Sequence, residues 1–223
     1  MSSFPKRFDR SLLLFEKEGL ELLQNSSVLV FGLGGVGGFC FDALFRAGFG
    51  KVSGVDFDIF EESNQNRQLH SEHVGEKKAE VFERKYQQKC WDLKVGEDLA
   101  CRQDFADFDI FIDAVDEIRA KIAIAKLAQS LDRAHFASCG AAKRIDPLQI
   151  RVKPLAKTTQ DPFAAAFRRA IRKEGLEANF PCVYSLEEPM CKALGSFMGL
   201  TASFGLLLAS LAVKNRLALN KKI

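Results

Sequence analysis

V-L-V-F-G-L-G-G-V-G, residues 28–37, decides the fold. Val28 to Phe31 has the length and unbroken apolar character of a buried strand, and Phe39 to Phe49 beyond the glycines reads as the helix that follows. Glycines at Gly32, Gly34, Gly35 and Gly37 leave backbone N–H groups open to an anionic phosphate, and the helix start adds the positive end of its dipole. Val52 to Asp56 reads as the next strand. It closes on Asp56, 19 positions past Gly37, near the spacing of an acid that takes ribose hydroxyls. The plainer reading of Asp56, a cap on the following loop, carries less weight beside that glycine turn.

Outward from this unit the pattern repeats. Arg10 to Leu23 sets Leu12, Phe15, Leu20 and Leu23 at helical spacing, so a helix precedes the first strand. Strands are expected at Phe108 to Ala114 and His135 to Ser138, alternating with helices at Gly75 to Lys89 and Glu117 to Leu131. This βαβα order predicts an α/β fold, Rossmann-like, with a mostly parallel sheet, flanking helices and right-handed crossovers. Gln149 to Lys153 adds an antiparallel extension after the Asp146-Pro147 turn. Pro154 to Pro189 differs in kind, with a short basic helix at Ala164 to Lys173 among Pro, Gly and polar residues, and reads as a mobile crossing segment within a single domain over residues 1–223.

Composition excludes several classes. With 47% hydrophobic residues in 223, the chain builds a sizeable core. A charge of +3, from 32 basic and 29 acidic side chains, leaves any RNA contact to a local patch. Six cysteines (Cys40, Cys90, Cys101, Cys139, Cys182, Cys191) lack C-x-x-C spacing and read as reduced thiols of a cytoplasmic protein. Phe197 to Val213 holds no charge over 17 residues, at the lower limit of about 17 for a membrane span. It is read within an apolar helix at 195–217, buried in a core or dimer interface in preference to a membrane. Lys214, Arg216, Lys221 and Lys222 would form a cytoplasmic flank in the membrane alternative.

Ligands of parallel sheets lie at the carboxyl ends of the strands. Asp58, the run Ser63 to Gln68 and Lys78 follow Asp56, and Asp116 follows the strand that ends near Asp113. A dinucleotide needs little beyond the glycines and the ribose acid, whereas ATP brings three phosphates and a metal. Arg67 and Lys78 supply phosphate-neutralising charge and Asp116 a Mg²⁺ ligand. Judged singly, Arg67 and Lys78 are surface charges, Asp116 is the N-cap of the next helix, and Asp113 is structural.

G-L-G-G-V-G at 32–37, V-D-F-D at 55–58, S-N-Q-N-R-Q-L-H at 63–70, V-G-E-K-K-A at 74–79 and D-A-V-D-E-I-R-A-K at 113–121 together resemble the ThiF/MoeB superfamily of ubiquitin-activating-like adenylating enzymes. I-D-P-L-Q-I at 145–150, L-A-K-T-T-Q-D-P at 155–162, C-V-Y-S at 182–185 and G-S-F-M-G-L-T-A-S-F-G at 195–205 resemble the branch that dehydrates threonylcarbamoyladenosine in tRNA. The resemblance runs from Arg7 onward. It implies an ATP site in which Asp56 takes the ribose, Arg67 and Lys78 the triphosphate, and Asp116 the Mg²⁺, with Asp58 and Asn64 completing the set. Arg7 or Arg10 stands where relatives supply an arginine to ATP, sometimes across a homodimer. No zinc is expected, because Cys182 has no C-x-x-C partner.

The implied reaction adenylates the threonyl carboxylate of the modified nucleoside at position 37, with release of pyrophosphate, and the neighbouring ureido group then closes the ring with loss of AMP. That intramolecular step needs no enzyme nucleophile, so Cys182 is read as substrate-proximal. Arg168, Arg169, Arg172 and Lys173 form the candidate tRNA contact, set against a solvated basic helix face. A sulfur-transfer partner of the cysteine desulfurase system is a further implied contact. Three alternatives stand beside this reading: adenylation of a ubiquitin-like sulfur carrier, an NAD-dependent oxidoreductase and a nucleotide-sensing module.

Overall fold

The computed structural model describes residues 4–217 apart from 97, 98, 100 and 101. Cys101, Lys221 and Lys222 therefore lie outside the described residues. Seven strands form one sheet: β1 (Ser27–Phe31), β2 (Lys51–Asp56), β3 (Cys90–Asp92), β4 (Ile110–Asp113), β5 (Ala134–Ser138), β6 (Ile150–Pro154) and β7 (Pro181–Ser185), in the order β3-β2-β1-β4-β5-β7-β6. All neighbours are parallel except β6 and β7, which pair antiparallel. The chain winds outward from β1 through β2 to β3 and then resumes on the other side at β4. The β1/β4 boundary is thus a topological switch point, where ligands of such sheets bind.

Side chains alternate across the inner strands because successive residues face opposite ways. Val28 and Val30 face one layer of helices, and Leu29 and Phe31 face the other. The first layer holds α1 (Asp9–Gln24), α2 (Gly37–Ala47), α3 (Lys78–Tyr86) and α6 (Met198–Arg216); the second holds α4 (Ile118–Ser130) and α5 (Pro162–Lys173). Both faces being covered, the strands read as near-continuous apolar runs.

Two strands differ from the sequence expectation. β3 is three residues long, and β7 lies inside the stretch expected only to cross over. Residues 182–185 are buried between β5 and β6, so the 154–189 segment supplies an inner strand as well as a helix. α6 has the length and composition of a membrane span, but Leu200, Phe204, Leu208 and Ala212 are buried in the core. It lies against α2 so closely that a Cβ on Gly205 would collide with Val36 O.

Candidate active site

Three strand ends build the site. After β1 the chain turns at Gly32 (φ +88°), whose N–H donates to Val55 O at 2.8 Å. A Cβ on Gly37 would collide with Gly32 O, so the turn closes only with glycine there. Over Gly34 the nearest side-chain atom to such a Cβ is Gln68 Nε2 at 3.7 Å, and the crown of the loop stays open.

Asp56, at the end of β2, is 8% exposed and tied to this loop. Its Oδ2 accepts the Leu33 N–H at 2.7 Å and its Oδ1 the Asp58 N–H at 2.8 Å. Burial pushes its carboxyl above the usual carboxylate range, against the opposing pull of Lys78 and the two N–H groups. Lys78 opens α3, because Gly75 (φ +85°) and an antiparallel bridge between Ile59 and Lys77 delay the helix past its expected start. Lys78 Nζ meets Asp58 Oδ2 at 3.0 Å.

Arg67 rests its stem near Gly35 and donates from Nη1 to Ser63 O and Asn66 Oδ1, at 2.9 and 2.8 Å. Asn64 is spent on the chain itself, its Oδ1 accepting the Glu61 N–H at 3.2 Å to close a 3-10 turn. Asn66 and Gln68, which sequence reasoning did not single out, stand beside the rim. Asn66 Nδ2 donates to Ser196 O at 3.0 Å, and Gln68 Oε1 is buried without a partner among the described residues. Their signal was adjacency to Arg67 in the same run.

Asp116 is exposed in the bend between β4 and α4 and makes no hydrogen bond or ion pair with the described residues. Neither it nor Glu117 caps α4 by its side chain. No group of three or more His, Cys, Asp or Glu gathers for a metal among the described residues. Mg²⁺ on a nucleotide needs only one or two carboxylates beside the phosphates and water, so a free Asp116 fits that ion.

Other expected residues lie apart. Arg7 stacks over Phe8 and Phe45, 4.6 and 5.0 Å from the ring centroids, in a cavity of about 420 Å³ shared with His70, Lys85 and Tyr86. Phe45 is roughly 12 Å along α2 from Gly37 at 1.5 Å per residue, so this chain does not bring its own Arg7 to the loop. Arg10 is exposed one turn further on. Arg168 is half-buried and donates to Thr158 O at 2.9 Å, holding the turn before α5, which corrects its reading as a free basic contact. Arg169, Arg172 and Lys173 are exposed. Cys182 is fully buried in β7 with its Sγ 3.2 Å from Cys139 Sγ, and so does not line the site.

Beneath the site lies an ion pair that the sequence reading missed. Lys121 Nζ donates to Asp113 Oδ1 at 2.8 Å and to Ser138 O at 2.7 Å, with both ionic side chains fully buried. Burial would raise the Asp113 carboxyl, but Lys121 and the nearby His135 outweigh it and hold it below the usual range. A lysine on the apolar stripe of α4, eight positions after Asp113, was the available signal.

The ThiF family profile matches residues 8–220. The chain belongs to the ThiF family. Over 193 residues it is 36% identical to the tRNA threonylcarbamoyladenosine dehydratase of Bacillus subtilis, covering 82% of this chain and 76% of that protein. The enzyme of the same name from Escherichia coli is 33% identical over 199 residues, covering 82% and 74%. The crystal structure of the E. coli dehydratase in complex with ATP superposes with a TM-score of 0.92 at 29% identity, covering 100% of this chain and 98% of that one. The ThiF fold and the family resemblance read from the motifs thus extend along nearly the whole chain.

Proposed function

We propose that this ThiF-family chain is an ATP-dependent tRNA threonylcarbamoyladenosine dehydratase. The observation that carries the reading is whole-chain similarity to a dehydratase crystallised with ATP, joined to a site whose open glycine crown, ribose acid and two cations meet at one switch point.

A free carboxylate is a poor acyl donor, because its leaving group would be oxide. Attack of the threonyl carboxylate on the α-phosphate of ATP forms an acyl-adenylate and expels pyrophosphate. Loop N–H groups, Arg67 and Lys78 hold the phosphates and stabilise the charge that develops on them, while Asp56 fixes the ribose. Lys78 exchanges Asp58, whose carboxylate is half in water, for phosphate oxygens. Mg²⁺, held by Asp116 and the phosphates, would add Lewis-acid charge at the phosphoryl oxygens. AMP is then a good leaving group, and the ureido group of the same substrate closes on the activated carbonyl with an effective molarity of about 10⁵ M or more.

The reading includes a cytoplasmic homodimer, in which the partner supplies Arg7 or Arg10 to the phosphates, and a tRNA contact through Arg169, Arg172 and Lys173. Distance within one chain supports the first, and exposure on one helix supports the second. The test is incubation with ATP, Mg²⁺ and threonylcarbamoylated tRNA, followed by AMP assay and nucleoside mass. A product lighter by one water is expected. AMP without that mass change would overturn the dehydratase reading, and no ATP cleavage would overturn adenylation of this substrate.

A further inference from the structure

Phe197 is a large aromatic side chain left 50% exposed beside the phosphate rim, and no step above uses it. It occupies the N-cap position of α6, where Ser, Thr, Asp or Asn is preferred, and makes no side-chain cap there. Its ring folds back over Gly199, where a Cβ would run into the ring atoms. One side of the ring is therefore seated on a residue that has no side chain, while half of the residue faces solvent. The chain on either side of this position is tied to the site. Ser196 O accepts from Asn66, next to Arg67, and Thr201, one turn along α6, sets its Oγ1 3.3 Å from the place of a Cβ on Gly35.

We propose that the Phe197 ring is a stacking platform for the modified adenine of the tRNA substrate. The inference rests on the dehydratase reading and deepens it. The threonyl carboxylate must reach the α-phosphate above the glycine crown, and a short threonylcarbamoyl linker joins it to the adenine. The base therefore lies within one linker of the loop, and Phe197 lies about 6 Å, one helical turn, from the residue that touches the loop. Single-stranded RNA loops are read by splaying bases onto aromatic rings. The Lys143 N–H donates to Gly195 O and its Nζ to Lys192 O, both at 2.7 Å, which pins the loop leading to Phe197 and sets two lysines on it. That charge suits an RNA backbone.

Steady-state dehydration is measured for the wild type, F197A, F197L and F197Y, with anisotropy of a labelled threonylcarbamoylated anticodon stem-loop alongside. Stacking on one base is worth ~1–3 kcal/mol, so F197A raises KM for tRNA and the stem-loop Kd by roughly 5-fold to 150-fold, with KM for ATP unchanged. F197Y restores both; F197L, which keeps apolar bulk without a π face, does not. Unchanged tRNA affinity in F197A, or full rescue by F197L, overturns the inference. So does an F197A that loses only its dimer in sedimentation, which would make the ring an interface between copies. Wild-type failure to dehydrate strikes the function itself, whereas the stem-loop Kd still judges the ring.

Discussion

Two lysine–aspartate pairs stand at the carboxyl edge of one sheet and do opposite work. Lys121 and Asp113 are both sealed from water, 2.8 Å apart, with the ammonium also held by Ser138 O. Lys78 and Asp58 meet at nearly the same distance, 3.0 Å, but the aspartate is 49% exposed. A buried pair cannot exchange partners without leaving a bare charge in a low-dielectric interior. A pair open on one side loses little when a phosphate takes the lysine, because water takes over the aspartate. The first pair fixes where β4, β5 and α4 meet; the second, on the proposed function, keeps a cation in reserve for ATP.

The largest expected effect comes from breaking the sealed pair. Lys121→Met leaves Asp113 as an uncompensated buried charge, and urea unfolding should show a loss of about 3–5 kcal/mol. Adding Asp113→Leu should recover most of it, and a double variant no better than the single one would show that the pair is not the cause. Opening the other pair should act on chemistry instead. Lys78→Met is expected to lower kcat/KM for ATP by ~10²–10³, read as AMP formation. Its urea midpoint should stay near that of the wild type.

Acid sharpens the contrast. The Asp113 carboxyl lies below its ordinary value in the fold, so its contribution is complete above the unfolded-chain pKa of about 3.9 and is lost as pH falls through the lower folded value. Without Lys121, burial lifts the Asp113 carboxyl of Lys121→Met above its ordinary value, so the stability gap between wild type and Lys121→Met should narrow as pH falls through that raised value and go on narrowing toward the lower wild-type one. A gap that stays constant throughout the acid range would show that Asp113 is not the group responsible. Smallest is Asp58→Asn, whose cost in urea unfolding should stay under about 1 kcal/mol for a half-exposed pair.

The same distinction governs what the sequence discloses. β1, the glycine turn and Asp56 are legible because phosphate geometry demands small residues at fixed offsets from a strand. Arg67, Lys78 and Asp116 are candidates by strand-end position, and the fold sets Arg67 beside Gly35, Lys78 beside Asp58 and Asp116 in the exposed bend after β4. Lys121 is legible only as a lysine on the apolar stripe of α4, since its partners Asp113 and Ser138 O come together only in the fold. β3 is too short to carry a period. Pro181 and the polar run before it mask β7, whose inner position depends on pairing with β5 and β6, strands that begin more than 30 residues away in the chain. Asn64 and Asn66 share one motif, and only the turn geometry assigns one to the backbone and the other to the rim.

The contact of Gly205 with α2 has a bearing on substrate choice. α2 begins at the phosphate crown and α6 begins beside Phe197, and where they cross they touch backbone to backbone. A Cβ there would meet Val36 O and Cys40 N of the backbone and Phe39 Cβ, so only glycine allows so close an approach. If the Phe197 ring carries the base, that close crossing makes the span from crown to ring a gauge of length. With an adenine on the ring and the α-phosphate on the crown, a carboxylate one bond short or long on its tether falls out of line for attack. On that seating, selection by reach would come before any recognition of the threonyl group itself.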